Sequence, residues 1–220
     1  VGAVLLLVCV GALVLVLALA GFYLIRSVNA LNDVKRDPSL NPSDYPSRPA
    51  PAPTTPGGSK APMNFVLLGT DERTDDEVGR SDSLMVAHLS GDRRHLYIVS
   101  FPRDMWVPIP GKGDGKINWA FAFGGAPLTV QTLEQLTETR MDHTVAIDFK
   151  GFINLTNEVG GVTVYNPWES SGTLGRHFPK GNITISGDDA LIYVRERKNL
   201  PDGDLGRAYR QRSMVKGIVK

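Results

Sequence analysis

Hydrophobic and polar positions divide the chain into three regimes. Val1 to Ile25 contains no charged residue and is almost unbroken Val, Leu, Ala and Gly. About 20 consecutive apolar residues suffice to cross a hydrocarbon core as a helix, so residues 1–25 are predicted to be a membrane-anchoring helix. A core helix is rarely apolar on every face over that length. Ala18-Leu19-Ala20 resembles a signal-peptide cleavage site, but more apolar residues follow it. Eight of the 15 prolines fall between Pro38 and Pro62, mixed with Ser, Ala, Thr and Gly. Such a stretch buries little and favours extended geometry, so residues 26–62 read as a flexible, Pro-rich linker that lifts a domain off a bilayer.

From Met63 the pattern becomes globular. Asn64 to Leu68, Leu84 to Leu89 and Leu96 to Phe101 are short apolar, β-branched runs bounded by turn formers, and they predict strands. Val145 to Ile147 and Val162 to Tyr165 predict two more, with a helix over Phe149 to Glu158 between them. Leu128 to Leu136 has helical spacing, and Asp188 and Asp189 stand as helix N-terminal acids before Ala190 to Val194. Arg207 to Lys220 reads as a last helix. Strands alternating with helices indicate a layered α/β domain over residues 63–220. The sequence opens at Val1 without Met and ends inside a helical pattern, so residues before Val1 and closing elements after Lys220 are expected.

Composition narrows the function classes. The 220 residues carry 24 Lys+Arg and 23 Asp+Glu, a net charge of +1. That balance argues against a nucleic-acid coat, which needs a basic excess to displace counterions. The single Cys rules out a disulfide framework or a Cys-based zinc cage. His88, His95, His143 and His177 are scattered without metal-site spacing. Gly-Lys-Gly-Asp-Gly-Lys at 111–116 misses the phosphate-loop spacing and has Ile117 where Ser or Thr is needed.

Distribution says more than the total. Between Arg195 and Lys220 stand eight basic residues and three acidic ones. Arg195, Arg197 and Arg207 supply planar, permanently charged forks suited to phosphate oxygens. Asp71 follows one predicted strand, Arg80-Ser81-Asp82 precedes the next, and Arg103-Asp104 follows a third. Two carboxylates at neighbouring strand ends suit a hard cation such as Mg²⁺, which takes few protein ligands.

These residues, in order, resemble a known family. Asn64-Phe-Val-Leu-Leu-Gly-Thr-Asp71, Arg80-Ser-Asp82, Phe101-Pro-Arg-Asp104, Lys116-Ile-Asn118, Phe121-Ala-Phe-Gly-Gly125, residues 142–161, Tyr193-Val-Arg-Glu-Arg197 and Gly203-Asp-Leu-Gly-Arg-Ala-Tyr-Arg-Gln211 are similar to the LytR-CpsA-Psr (LCP) family of bacterial cell-envelope enzymes. The likeness covers 63–220. It implies a central mixed β-sheet flanked by helices (α/β/α) with a hydrophobic pocket for a lipid chain, for which residues 128–164 offer apolar side chains. The implied activity is a phosphotransferase that moves an anionic glycopolymer from a polyprenyl-pyrophosphate carrier to peptidoglycan, with Mg²⁺ or Mn²⁺, outside a membrane it crosses once. By motif, Asp71 and Asp82 match the metal-associated acids. Arg80, Arg103, Lys116, Arg195, Arg197, Arg207 and Gln211 match the pyrophosphate-holding set. Asp82, Arg103 and Asp204 form the implied catalytic group; Asp204 would orient its neighbouring arginines, and the base is Asp82 or a metal-associated group. Two alternatives stay open: a regulatory membrane protein of the attenuator type, and a polyprenyl-pyrophosphate binding or pyrophosphatase module that transfers nothing. No helix-turn-helix or base-reading basic stripe supports a nucleic-acid role.

Overall fold

The computed structural model describes residues 36–53, 60–71 and 81–219. The chain divides into two units, Val1–Pro38 and Ser39–Lys220. Of the first only residues 36–38 are described; the second holds every element named below. The anchor expected over 1–25 lies outside the described residues, and no described helix is long and apolar enough to cross a membrane.

A four-stranded mixed sheet organises the domain, in the order β3-β2-β1-β6. Its strands are β1 (Met63–Thr70), β2 (Ser81–Leu89), β3 (Leu96–Phe101) and β6 (His143–Asp148). β1 runs antiparallel to β2 and parallel to β6, and β2 is antiparallel to β3. In β1 every second side chain, Asn64, Val66, Leu68 and Thr70, is buried. That alternation seats the strand between two faces of different character.

Helix α1 (Ile117–Thr137) covers one face of the sheet. Ile117, Ala120, Phe121, Val130 and Leu133 share a core with Val66, Leu68 and Leu84. Each of the buried Val, Leu, Ile and Phe side chains among them contributes about 1.5–3 kcal/mol relative to exposure, and Ala120 less. The helix is broken at Gly124 and Gly125; Gly125 has φ +62, a left-handed conformation that glycine adopts without steric cost. Before the helix stands a hairpin the sequence does not announce, β4 (Trp106–Ile109) and β5 (Gly113–Lys116). The Gly-Lys-Gly-Asp-Gly-Lys run is therefore its turn and second strand, with Gly111 and Gly113 at positive φ.

Helix α2 (Phe149–Glu158) begins where predicted, its first turn capped by Asp148, which accepts from the Gly151 amide at 2.7 Å. Strands β7 (Val162–Asn166) and β10 (Gly181–Ile185) form a second, antiparallel ribbon; the short strands β8 (Ser170–Ser171) and β9 (His177–Phe178) pair between them. Helices α3 (Gly187–Arg195) and α4 (Asp204–Ile218) pack on the ribbon through Val162, Val164, Phe178, Ala190, Tyr193 and Met214. α4 also reaches the sheet face opposite α1: Ser83 donates to Gln211 Oε1 at 3.1 Å and Arg212 donates to Ser100 at 3.0 Å. Arg210 of α4 is fully buried and, among the described residues, makes no ion pair; Asn166, the Trp168 carbonyl, Ser170 and the face of Tyr193 hold it. Burial draws its charge below the ordinary arginine value and pushes the Tyr193 hydroxyl up to about 12.

Part of the stretch read as a flexible linker is not one. Tyr45 donates to Glu134 Oε2 at 2.8 Å, and Arg48 Nε lies 3.1 Å from the same atom. Glu134, in α1, is fully buried. Its other oxygen accepts from the Met141 amide at 2.9 Å. Residues 39–53 are thus docked on the domain by a buried ion pair; residues 26–35 and 54–59 lie outside the described residues.

Candidate active site

The ends of β1 and β3, the start of β2 and the N-terminal turn of α4 bring the charged residues together. Their positions follow from the register. Gly69 faces Ser83 but Thr70 faces Ser81, so Asp82 is an extra residue in β2 opposite a single step of β1. This β-bulge changes the parity of the strand. The bulge breaks the two-residue alternation of β2 at Asp82, whose carboxylate meets Arg103.

Arg103 is the hub. Its Nη1 donates to Asp82 Oδ1 at 2.8 Å, and its Nε lies 3.5 Å from Asp104 Oδ2. Burial opposes its charge. The Asp82 hydrogen bond, with the fields of Asp82, Asp104 and Asp204, outweighs that and holds the guanidinium above its ordinary value. Lys116, closing β5, donates to Asp104 Oδ1 at 2.8 Å. On α4, Asp204 accepts from Arg207 at 2.9 Å and sits 3.8 Å from Arg197. Arg103, Lys116, Arg197 and Arg207 are therefore each held by a carboxylate, and the Asp204 field reaches Arg103.

Not every predicted site residue joins this network. Arg195 stacks on the ring of Phe149, 4.3 Å from its centroid, beside the end of β6. Gln211 uses both ends of its amide as a tie, accepting from Ser83 and donating to the Val194 carbonyl at 3.4 Å. Arg80 lies outside the described residues. Asp71 follows β1 directly, one residue past the Thr70–Ser81 pair, so its backbone stands at the strand end, with Asp82 on the other side of that pair. Among the described residues no group of three or more His, Cys, Asp or Glu could hold a metal. Asp71 and Asp82 nevertheless suit a hard cation that takes one or two carboxylates and fills its remaining positions with water and phosphate.

Sequence reasoning missed three supports. Asp104, quoted only as part of a motif, links Arg103 to Lys116. Glu196, between two arginines, accepts from the backbone amides of Arg197, Lys198 and Asn199, and so fixes the loop that carries them. The third is a cleft of about 510 Å³ lined by Arg103, Asp104, Lys116, Asn118, Trp119, Ala122 and Phe123. By contrast, Val130, Leu133, Val162 and Val164, inside the 128–164 stretch offered as a lipid lining, are core.

The Lys116 hydrogen bond holds the Asp104 carboxyl below its ordinary value, with Lys116 and Arg103 charges adding to it against slight burial. A depressed folded pKa contributes stability above the unfolded value and loses it as pH falls through the folded one. Asp104→Asn is expected to flatten the acid limb of the stability–pH curve below the usual carboxylate range. Thermal unfolding across an acidic pH series measures this; superimposable curves would contradict it.

Known proteins resemble this chain in sequence and fold. The LytR_cpsA_psr family model matches residues 27–220. A polyisoprenyl-teichoic acid–peptidoglycan teichoic acid transferase, TagU, of Bacillus cereus is 44% identical over 160 residues, covering 72% of this chain and 52% of that protein. A TagU of Halalkalibacterium halodurans is 40% identical over 161 residues, covering 72% and 53%. The chain thus spans about half the length of these relatives. Crystal structures of B. subtilis TagV (TM-score 0.66, 33% identity, 74% of this chain and 65% of that one) and of TagT bound to LIIa-WTA (0.66, 30%, 82% and 66%) share the fold. With these motifs, this mixed sheet and a family match over most of its length, the chain belongs to the LytR-CpsA-Psr family.

Proposed function

We propose that the chain is the catalytic part of a membrane-anchored phosphotransferase that moves an anionic, teichoic-acid-like glycopolymer from a polyprenyl-pyrophosphate carrier to peptidoglycan outside the membrane. The observation that carries this reading is the set of carboxylate-oriented cations around Arg103 at one end of the sheet. Phosphoryl transfer is catalysed mainly by positioning and charge neutralisation, and a pyrophosphate needs several cations at once. The names of the TagU relatives support the substrate class.

In the proposed reaction an acceptor sugar hydroxyl attacks the phosphorus that bears the glycan. The new P–O bond forms, the bridging P–O bond breaks, and polyprenyl phosphate leaves with the electron pair. The hydroxyl proton passes to a base, Asp82 or a metal-associated group; Asp82 stands 2.8 Å from Arg103. Arg103 and Arg207 hold phosphate oxygens, while Asp204 keeps Arg207 and Arg197 aimed at the site. Asp71 and Asp82 would hold Mg²⁺ or Mn²⁺, which when bound neutralises developing phosphate charge. The prenyl chain would lie against the sheet face away from α1, where Leu67 is half-buried and Val145 exposed. Residues 1–25 would anchor the domain.

The test is incubation of the protein with Mg²⁺ and a short-chain polyprenyl-pyrophosphate glycan, with and without peptidoglycan. Acceptor-dependent linkage supports transfer. Phosphate release alone would favour a pyrophosphatase, and binding without turnover would favour a carrier or regulatory role. Asp71→Ala and Asp82→Ala are expected to lower Mg²⁺-dependent turnover roughly 100-fold; unchanged Mg²⁺ titration curves would remove the metal assignment.

A further inference from the structure

Three large aromatic side chains stand exposed in a row beside the arginine cleft. Trp106 is 63% exposed, Trp119 40% and Phe123 52%. Isolated exposed aromatics need no explanation, but a contiguous apolar patch on a polar rim marks a binding surface. The Trp106 and Trp119 centroids lie 5.9 Å apart and the Trp119 and Phe123 centroids 6.3 Å, both pairs edge-to-face.

The row is rigid and leads to the reacting end of the site. Trp106 pairs with Lys116 across the β4–β5 hairpin. Trp119 and Phe123, four residues apart before the Gly124 break, share one helical face. Gly115 lets the Trp119 ring lie against the hairpin backbone, since a Cβ there would come within 2.6 Å of the ring. Such fixed aromatic faces bind at low entropic cost. Trp119 and Phe123 line the same cleft as Arg103 and Lys116. Asn118, also in that lining, has a buried Oδ1 with no hydrogen-bond partner among the described residues.

We propose that Trp106, Trp119 and Phe123 form a rail for the acceptor glycan, a chain of directly linked N-acetylhexosamine rings, and deliver its hydroxyl to the Arg103 end of the cleft. This rests on the transfer reaction proposed above. The C–H face of a pyranose packs on the negative face of an aromatic ring. The row fits rings in immediate succession rather than the charged donor polymer. The row itself presents ring faces; the cations stand at its edges, Lys112 over Phe123 and Lys116 held by Asp104. The donor is already fixed at its pyrophosphate, so the acceptor requires its own surface ending at the same point.

The test is titration of the protein with soluble, peptide-stripped peptidoglycan glycan fragments, followed by tryptophan fluorescence and calorimetry. Trp119→Ala and Phe123→Ala are expected to weaken glycan binding at least about tenfold, with Trp119→Phe recovering most of it. Inorganic pyrophosphate with Mg²⁺ should bind these variants as it binds the wild type, which also reports their folding. Arg103→Ala should show the reverse pattern. Wild-type glycan affinity in Trp106→Ala and Trp119→Ala would overturn the rail. So would displacement of the glycan by poly(glycerol phosphate) or by a short-chain polyprenyl phosphate. Glycan binding that depends on the rail in a protein without transferase activity would leave the rail standing and remove the reaction. Undiminished transfer in Trp119→Ala would do the opposite.

Discussion

Arg103→Ala is expected to lower acceptor-dependent transfer about 10³-fold while the melting temperature barely moves, a loss of the size seen when one charge-stabilising donor is removed from a phosphoryl-transfer site. The reasoning is geometric. Arg103 touches Asp82 through Nη1 and Asp104 through Nε, and it feels Asp204 from α4. The fields of all three acids converge on it. Without it, Asp82 and Asp204 present negative charge to an anionic substrate with less to offset them. Arg103→Lys should recover only part of the rate, because a single ammonium cannot reach both carboxylates at those angles. Initial rates with a short-chain donor and excess acceptor measure both variants. A wild-type rate in Arg103→Ala would dismantle the site assignment.

Arg48→Met should cost about 3–5 kcal/mol of folding stability, the range for leaving a buried charge without its partner. Glu134 is fully buried, and Arg48 is the cation the structure shows against it. Tyr45 and the Met141 amide would remain as hydrogen-bond donors, but neither carries charge. Tyr45→Phe should cost only about 1 kcal/mol, the net contribution of one such hydrogen bond. Glu134→Leu combined with Arg48→Met should regain much of the loss, since an apolar pair of similar volume needs no desolvation. Denaturant unfolding with an unchanged slope checks all three. Equal stability of Arg48→Met and the wild type would mean that the Pro-rich segment adds nothing to the fold.

Most of the framework was legible because it follows local pattern. β3 (Leu96–Phe101) and α2 (Phe149–Glu158) have the predicted bounds, since β-branched runs and an Asp cap act within a few residues. The hairpin escaped notice for an equally local reason: Trp106–Ile109 contains Pro108, and Gly113–Lys116 has no apolar residue at all. Pairing, not propensity, makes these strands. The docking of Tyr45 and Arg48 was invisible because their partner lies 86 to 89 residues away, and Pro-rich composition reads as a spacer whatever it touches. The same holds inside the site. Motif matching brought Arg103, Asp82, Lys116 and Asp204 to attention, but their pairing, the stacking of Arg195 on Phe149 and the use of Gln211 as a tie depend on tertiary placement.

The extra residue at Asp82 has a consequence for how this site could be lost. A substitution there removes a carboxylate and leaves an interrupted ladder. Deleting the residue would instead bring Ser81 and Ser83 into unbroken register with Thr70 and Gly69, and so restore the pairing that the insertion interrupts. One missing codon would thus trade the Asp82 carboxylate, and its ion pair with Arg103, for an unbroken ladder between β1 and β2.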